Sequence, residues 1–266
     1  MNTPHRGLKY ESVYKGIFRS RPNRFIAEVE INGQRERCHV KNTGRCEELL
    51  IPGARVYVNR TSKPERVTGY DLVTVFKPAV CGSRKSDAST PGEPALTFES
   101  GFEAADGGRL INIDSQAPNK VFLEYLQSGR FASGITHIKS EVTYGDSRFD
   151  FYVEANKRKM FIEVKGVTLE KDSVALFPDA PTERGVKHLR GLSRCINDSY
   201  EAHVVFVIQM TGIRHFSPNY DIHPAFGAAL VATQDAGVRV SAVDCEVTMD
   251  SLTIKNTVPV VLEHCI

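Results

Sequence analysis

The chain of 266 residues is 41% apolar and 25% charged. It is long enough for one or two domains around a buried core and lies outside the composition of disordered chains, fibrous repeats and disulfide-dense miniproteins. The formal net charge is +2, but residues 1–80 hold 15 basic and 8 acidic side chains, so this part stands at +7 and the remainder at −5; a basic front favours a polyanionic partner, and an acidic remainder can supply carboxylates for a cation.

The six cysteines, at 38, 46, 81, 195, 245 and 265, include no C-x-x-C pair, which argues against a structural zinc site or a disulfide framework. The first residues, MNTPHRGLKYES, lack the apolar core of a signal peptide, and no stretch approaches 18 uncharged apolar residues. The expectation is a soluble, reduced, cytoplasmic protein with no membrane partner.

Between residues 10 and 80 the pattern is β throughout. Phe25, Ala27, Val29 and Ile31 alternate before an Asn32-Gly33 turn suited to a tight hairpin, and Cys38 and Val40 lie on the returning strand. The spacing makes Phe25 a barrel-core residue. A polar loop, Asn42-Thr43-Gly44-Arg45, leads to a short CEELL segment and Pro52-Gly53, followed by strands around Val56/Val58 and Leu72–Phe76. Five short strands in about 70 residues read as a small Greek-key barrel of the OB type.

Residues 81–108 are rich in Gly, Ser, Pro, Ala and Asp and read as a linker or irregular connection. Beyond it Arg109–Asp114 reads as a strand, and Asn119 is a candidate N-cap for a helix carrying Val121, Phe122, Tyr125 and Leu126 that ends at Gly129. Three strands follow, His137–Tyr144, Arg148–Glu154 and Met160–Lys165. A helix over Thr182–Asn197, a buried strand His203–Met210, a helix over Pro224–Ala236 and a strand Val238–Asp244 complete an α/β pattern.

Strand alternation puts Glu163 and Lys165 on one face and Ile162 and Val164 on the other. On the preceding strand Arg148, Asp150 and Tyr152 lie together, so antiparallel pairing of the two strands brings Asp150 beside Glu163, with Glu141 on the strand before as a candidate third acid. Such oxygen-rich groups suit a hard divalent cation, Mg²⁺ or Mn²⁺, which would lower the pKa of a water and brace the charge on a phosphodiester, while Lys165 holds the water or the phosphate. The D/E-x-K triplet occurs once in the chain and carries weight only through this position. On the following helix, at 100° per residue, His188 falls about 40° from Arg184 and both flank the apolar stripe of Val186, Leu189, Leu192 and Ile196. They are candidates for meeting a phosphate. Lys41 and Arg45 bracket the Asn42-Thr43-Gly44 turn, near the crowded Arg19, Arg21 and Arg24. The expected nucleic-acid-contacting set is Lys41, Asn42, Arg45, Arg24, Arg148, Arg184 and His188. The histidines at 5, 39, 215, 223 and 264 show no ligand spacing and are read as structural or surface residues.

Several long segments resemble the sugar fermentation stimulation protein A family: NRFIAEVEINGQ with HVKNTGRCEELLIPG, then QAPNKVF, SRFDF, FIEVKGVTL and FPDAPTERGVKHLRGL, across most of residues 10–210. The resemblance implies an OB-fold domain over 1–82 joined to a PD-(D/E)XK nuclease-like domain over 83–266, a mixed sheet flanked by helices in an α/β architecture. It further implies DNA binding with little sequence preference and a link to regulation of sugar, especially maltose, metabolism. The nuclease motif carries over as Asp150 for the lone acid and Glu163-Val164-Lys165 for the D/E-x-K, with Glu141 as the upstream acid and Arg184 with His188 on the TERG-x-K-H helix. Ser-Arg-Phe precedes Asp150 where many restriction-type nucleases have proline. Two readings follow, a metal-dependent nuclease and a DNA-binding regulator that keeps the nuclease fold without cutting; the first is favoured because retained carboxylates repel phosphate on a pure binding surface. A homodimer is a candidate assembly, since two such domains across a dyad would cut both strands.

Overall fold

The computed structural model describes residues 7–42, 44–62, 65–79 and 107–263. Most of the expected 81–108 linker, Thr43, Cys81, Cys265, His5 and His264 lie outside the described residues. Strand β1 (Leu8–Lys9) precedes the barrel strands β2 (Val13–Asn23), β3 (Ile26–Ile31), β4 (Gln34–Val40), β5 (Arg55–Arg60) and β6 (Tyr70–Lys77). Asn32 and Gly33 both take positive φ, 51° and 77°, the twist that a two-residue hairpin between β3 and β4 requires. The strands pair in the order β4-β3-β2-β5-β6, and parallel pairing of β4 with β6 closes the barrel. Its interior is filled by Phe18, Val29, Val40, Val58 and Leu72, none more than 1% exposed.

Phe25 is not among these core residues and is 44% exposed. The Asn23 side chain accepts the backbone N–H groups of Phe25 and Ile26, so Phe25 sits in the turn before β3 and escapes the alternation that buries Ala27 and Val29. Its ring is covered by the Arg24 guanidinium, 4.7 Å from the centroid.

Strand β7 (Arg109–Asn112) pairs with β6 and extends the barrel sheet. Helix α1 (Ala117–Gln127) follows, then β8 (Ile135–Tyr144), β9 (Ser147–Ala155), β10 (Arg158–Val167), the short β11 (Leu169–Lys171) and β12 (Val174–Phe177). Helix α2 (Glu183–Asn197), β13 (Glu201–Ile208), β14 (His215–Pro218), α3 (Pro224–Asp235), β15 (Arg239–Val247) and β16 (Ser251–Val258) complete the chain order. The seven-stranded mixed sheet runs β1-β16-β15-β13-β10-β9-β8. Thus β1 joins the second sheet and β7 the first, and neither sheet is built from one continuous half of the chain.

In the second sheet β10 and β13 pair in parallel and are largely buried on both faces because helices cover both. Helix α1 buries Val121, Phe122 and Leu126 against Phe151, Ile162 and Val164. Helices α2 and α3 bury Val186, Leu189, Leu192 and Phe226 on the opposite face, in a core continuous with the barrel interior. The Thr182 hydroxyl accepts from Gly185 N at 3.1 Å and caps α2. Helix α1 starts earlier than expected, with Gln116 at the cap and Pro118 in the first turn, which frees the Asn119 side chain for another partner. The four described cysteines, 38, 46, 195 and 245, are buried free thiols.

Candidate functional site

The β9–β10 ladder runs from Ala155–Arg158 to Phe151–Ile162 and ends there. Continued by one step, the same register sets Asp150 opposite Glu163. At this level β9 parts from β10, and the Asp150 carboxylate fills the gap. Its Oδ2 accepts the Val164 N–H at 2.8 Å, in place of a strand carbonyl. Its Oδ1 accepts from Asn119 Nδ2, also at 2.8 Å. Helix α1 can approach β10 closely because position 166 is glycine: a Cβ there would lie 2.6 Å from Pro118 and 2.7 Å from Gln209. Asn119, expected as a helix cap, is therefore a site residue. A polar residue in the first turn of a helix that packs over a D/E-x-K strand was the signal available for it.

Glu163 points to the α2 face and is 3% exposed. Its Oε1 accepts from Lys165 Nζ at 2.5 Å and from His188 Nδ1, while its Oε2 is buried with no hydrogen-bond partner among the described residues. The Nε2 of His188 faces Arg184 Nε at 3.4 Å. Arg184, His188, Glu163 and Lys165 thus form one chain of contacts from the exposed start of α2 into the sheet.

The two acids are held differently. Burial, and after it the charge of Glu163, push the Asp150 carboxyl up to about 6 against the Val164 and Asn119 hydrogen bonds. Burial would raise Glu163 as well, but the His188 and Lys165 donors outweigh it and keep that carboxyl below the ordinary glutamate range.

Other expected site residues go elsewhere. Glu141 does not join the two acids. Its backbone is left-handed, with φ at 57°, and its half-exposed carboxylate is taken by Arg148. Arg148 is in turn spent on that surface pair. Among the described residues no group of three His, Cys, Asp or Glu side chains gathers as a ready metal cage. The donors present are the buried, unpartnered Oε2 of Glu163 and the neighbouring Asp150 carboxylate, an all-oxygen pair that fits a hard cation keeping much of its own water.

In the barrel the Lys41 ammonium turns inward, to Asp114 Oδ2 at 2.7 Å. Asp114 is fully buried and also meets the Tyr10 hydroxyl at 3.3 Å and the backbone N–H of Gln116 at 2.9 Å. Asn42 donates to the Ile113 carbonyl and accepts from Gly44 N. Both therefore tie the barrel loop to the connection between β7 and α1, and neither is a free surface contact. Arg24 and Arg45 remain outward. They border an open hollow of about 520 Å³ with Arg21, Asn23 and Glu47, where Arg21 ties the loops by donating to the carbonyls of Arg24, Asn42 and Gly44. No helix among the described residues is long and apolar enough to cross a membrane.

Comparison with known proteins agrees with this architecture. Residues 20–81 match the model of the SfsA N-terminal OB domain, and residues 116–251 match that of the sugar fermentation stimulation protein RE domain. A sugar fermentation stimulation protein homolog of Desulfitobacterium hafniense strain Y51 is 52% identical over 255 residues, covering 96% of this chain and 99% of the relative. A homolog of the same name from Clostridium beijerinckii is 48% identical, covering 96% and 100%. Among solved structures, that of Pyrococcus furiosus SfsA in complex with Ca²⁺ superposes with a TM-score of 0.76 at 25% identity, over 95% of this chain and 97% of that one. A barrel closed by β4 and β6, a mixed sheet whose inner strand β10 carries Glu163 and Lys165, and relatives matching end to end together place this chain in the sugar fermentation stimulation protein family.

Proposed function

We propose that this protein binds DNA with little sequence preference and hydrolyses its phosphodiester bonds at a site that uses a divalent cation, Mg²⁺ or Mn²⁺. The observation that carries the reading is Glu163 Oε2, a carboxylate oxygen buried without a partner beside a second buried acid and a lysine. An unsatisfied buried carboxylate oxygen costs free energy unless something binds it. The structural relative from Pyrococcus furiosus is described in complex with Ca²⁺, a cation that also takes oxygen ligands.

Asp150 and Glu163 would hold the cation, which when bound supplies an acidified water and a counter-charge for the phosphodiester. The chain's own groups do the rest. Val164 N–H and Asn119 fix the plane of the Asp150 carboxylate before any ligand arrives. Lys165, 15% exposed in its side chain, carries a positive charge that can orient a water or a phosphate oxygen. Arg184, exposed at the start of α2, offers a guanidinium to a neighbouring phosphate. Arg24 and Arg45 on the barrel add charge along the backbone path. An effect on sugar fermentation, which names the family, would then act through nucleic acid.

The test is a titration of Mg²⁺ and Mn²⁺ against supercoiled plasmid with wild type, Asp150→Ala and Lys165→Ala. Nicking by wild type alone, with all three proteins binding DNA, supports the proposal, and equal cleavage by the variants rejects the site. A second reading, a DNA-binding regulator that does not cut, has one observation on its side: the Lys165 ammonium is held by Glu163. Plasmid that stays intact at every cation concentration while binding persists would select it.

A further inference from the structure

Glu163 has two carboxylate oxygens and two donors, and both donors sit on the same oxygen. A carboxylate turns between two nearly equivalent orientations about its last torsion, so something must decide which oxygen is left bare. Lys165 cannot decide it alone, because an ammonium on a flexible stem can follow either oxygen. His188 can. Its ring is 6% exposed, lies edge-on to Phe149 with centroids 6.3 Å apart at 79°, and stands on a helix seated through Val186, Leu189 and Leu192.

An imidazole nitrogen donates only if it carries the proton. Guanidinium groups are donors without acceptor capacity, so with Arg184 Nε directed at His188 Nε2 that nitrogen must offer its lone pair. The proton is thereby placed on Nδ1, which faces Glu163 Oε1. Helical spacing makes His188 a candidate phosphate contact, but the ring is buried and both its nitrogens are engaged within the protein.

We infer that His188 is a positioning residue: with its tautomer set by Arg184, it pins Oε1 of Glu163 and so presents Oε2 to a divalent cation. The inference rests on the cation site proposed above and gives Arg184 and His188 separate duties, one outward and one inward. Asparagine keeps an amide N–H close to the position of Nδ1, whereas the longer glutamine places its amide near Nε2, out of reach of Glu163.

The experiment is a calorimetric titration of the full chain with CaCl₂ and with MnCl₂, without nucleic acid, for wild type, His188→Asn, His188→Gln and Glu163→Gln. Thermal unfolding checks each variant. Loss of an oriented supporting partner usually lowers metal affinity about 10–100-fold. A loss of that order is expected for His188→Gln, and binding within about threefold of wild type for His188→Asn. Equal affinity in all His188 variants overturns the positioning role. A loss for Mn²⁺ that spares Ca²⁺ in both His188 variants also overturns it, since imidazole ligation favours the transition metal. Should wild type bind neither cation, the site reading itself fails; should wild type bind and Glu163→Gln not, that reading stands whatever His188 does. Long-range ¹H–¹⁵N correlation spectra of wild type need no variant: a proton on Nδ1 of His188 is expected, and a proton on Nε2 overturns the inference.

Discussion

Asp150 holds an ionised carboxylate at neutral pH in a place that disfavours it, with burial and Glu163 pushing it up to about 6. Between pH ~4, where the unfolded acid titrates, and pH ~6 the native state keeps a proton that the unfolded chain has lost. Its contribution to stability therefore falls as pH rises through that window, then stays level. Asparagine carries no charge, and with the Asn119 amide turned over it can still accept from Val164 N–H and donate to Asn119. The expected result is that Asp150→Asn is more stable than wild type at pH 7.5 by on the order of 2 kcal/mol, with the gain vanishing below pH ~4. Calorimetric unfolding across pH checks it. A stabilising substitution at a chemically loaded position fits a site held under electrostatic tension for function.

At the level of elements, the seating of α2 decides whether His188 and Arg184 reach the sheet. Gly191 lies one turn beyond His188, where a Cβ would stand 2.6 Å from Ser147 Oγ and 3.1 Å from Phe149. Gly191→Ala would gain helix propensity but overpack the contact with β9, so a net loss of about 1–3 kcal/mol is expected from urea unfolding. The barrel and the second domain are joined by Lys77 of β6, whose ammonium meets the Glu170 carboxylate of β11 at 2.6 Å. Burial would raise Glu170, but the Lys77 hydrogen bond, the Ser173 N–H and the charges of Lys77 and Arg109 hold it below the ordinary range. A lowered carboxyl contributes stability that is present above the unfolded pKa and lost as pH falls through the folded one. Lys77→Met should accordingly cost about 1–3 kcal/mol at pH 7, and the difference from wild type should close below pH ~4. Denaturant midpoints over pH 3–7 measure this. The span of helix α2 and its i, i+4 pair were legible from spacing; its cap at Thr182 and its close approach at Gly191 were not, the latter because Ser147 is 44 positions away in the chain.

For the whole molecule, the charge asymmetry of the first 80 residues resolves into two populations. Lys41 is an internal joint, whereas Arg24 and Arg45 face outward around the barrel hollow. Arg24→Gln with Arg45→Gln should lower the slope of log affinity for DNA against log salt by about 2, one for each phosphate that the variant leaves unneutralised. Lys41→Met should leave the slope alone and destabilise the fold by about 3–5 kcal/mol, since it strands the charge of the fully buried Asp114. Fluorescence-anisotropy titrations from low to high salt, beside thermal unfolding, separate the two effects. The order of residues was enough to specify the hairpin at Asn32-Gly33, the strands on either side of it, the apolar run of β10 and β13 and the placement of Glu163 and Lys165 on one strand face. All of these follow from local period and turn chemistry, which act over a few residues. Three-dimensional packing was needed to part β9 from β10 at Asp150, to bring Asn119 and His188 to the two acids, to turn Lys41 inward, and to exchange β1 and β7 between the sheets. The partners in those outcomes stand from 14 positions apart, for Asp150 and Val164, to 244 apart, for Leu8 and Leu252, and pattern along the chain holds no record of which distant side chains packing will bring face to face.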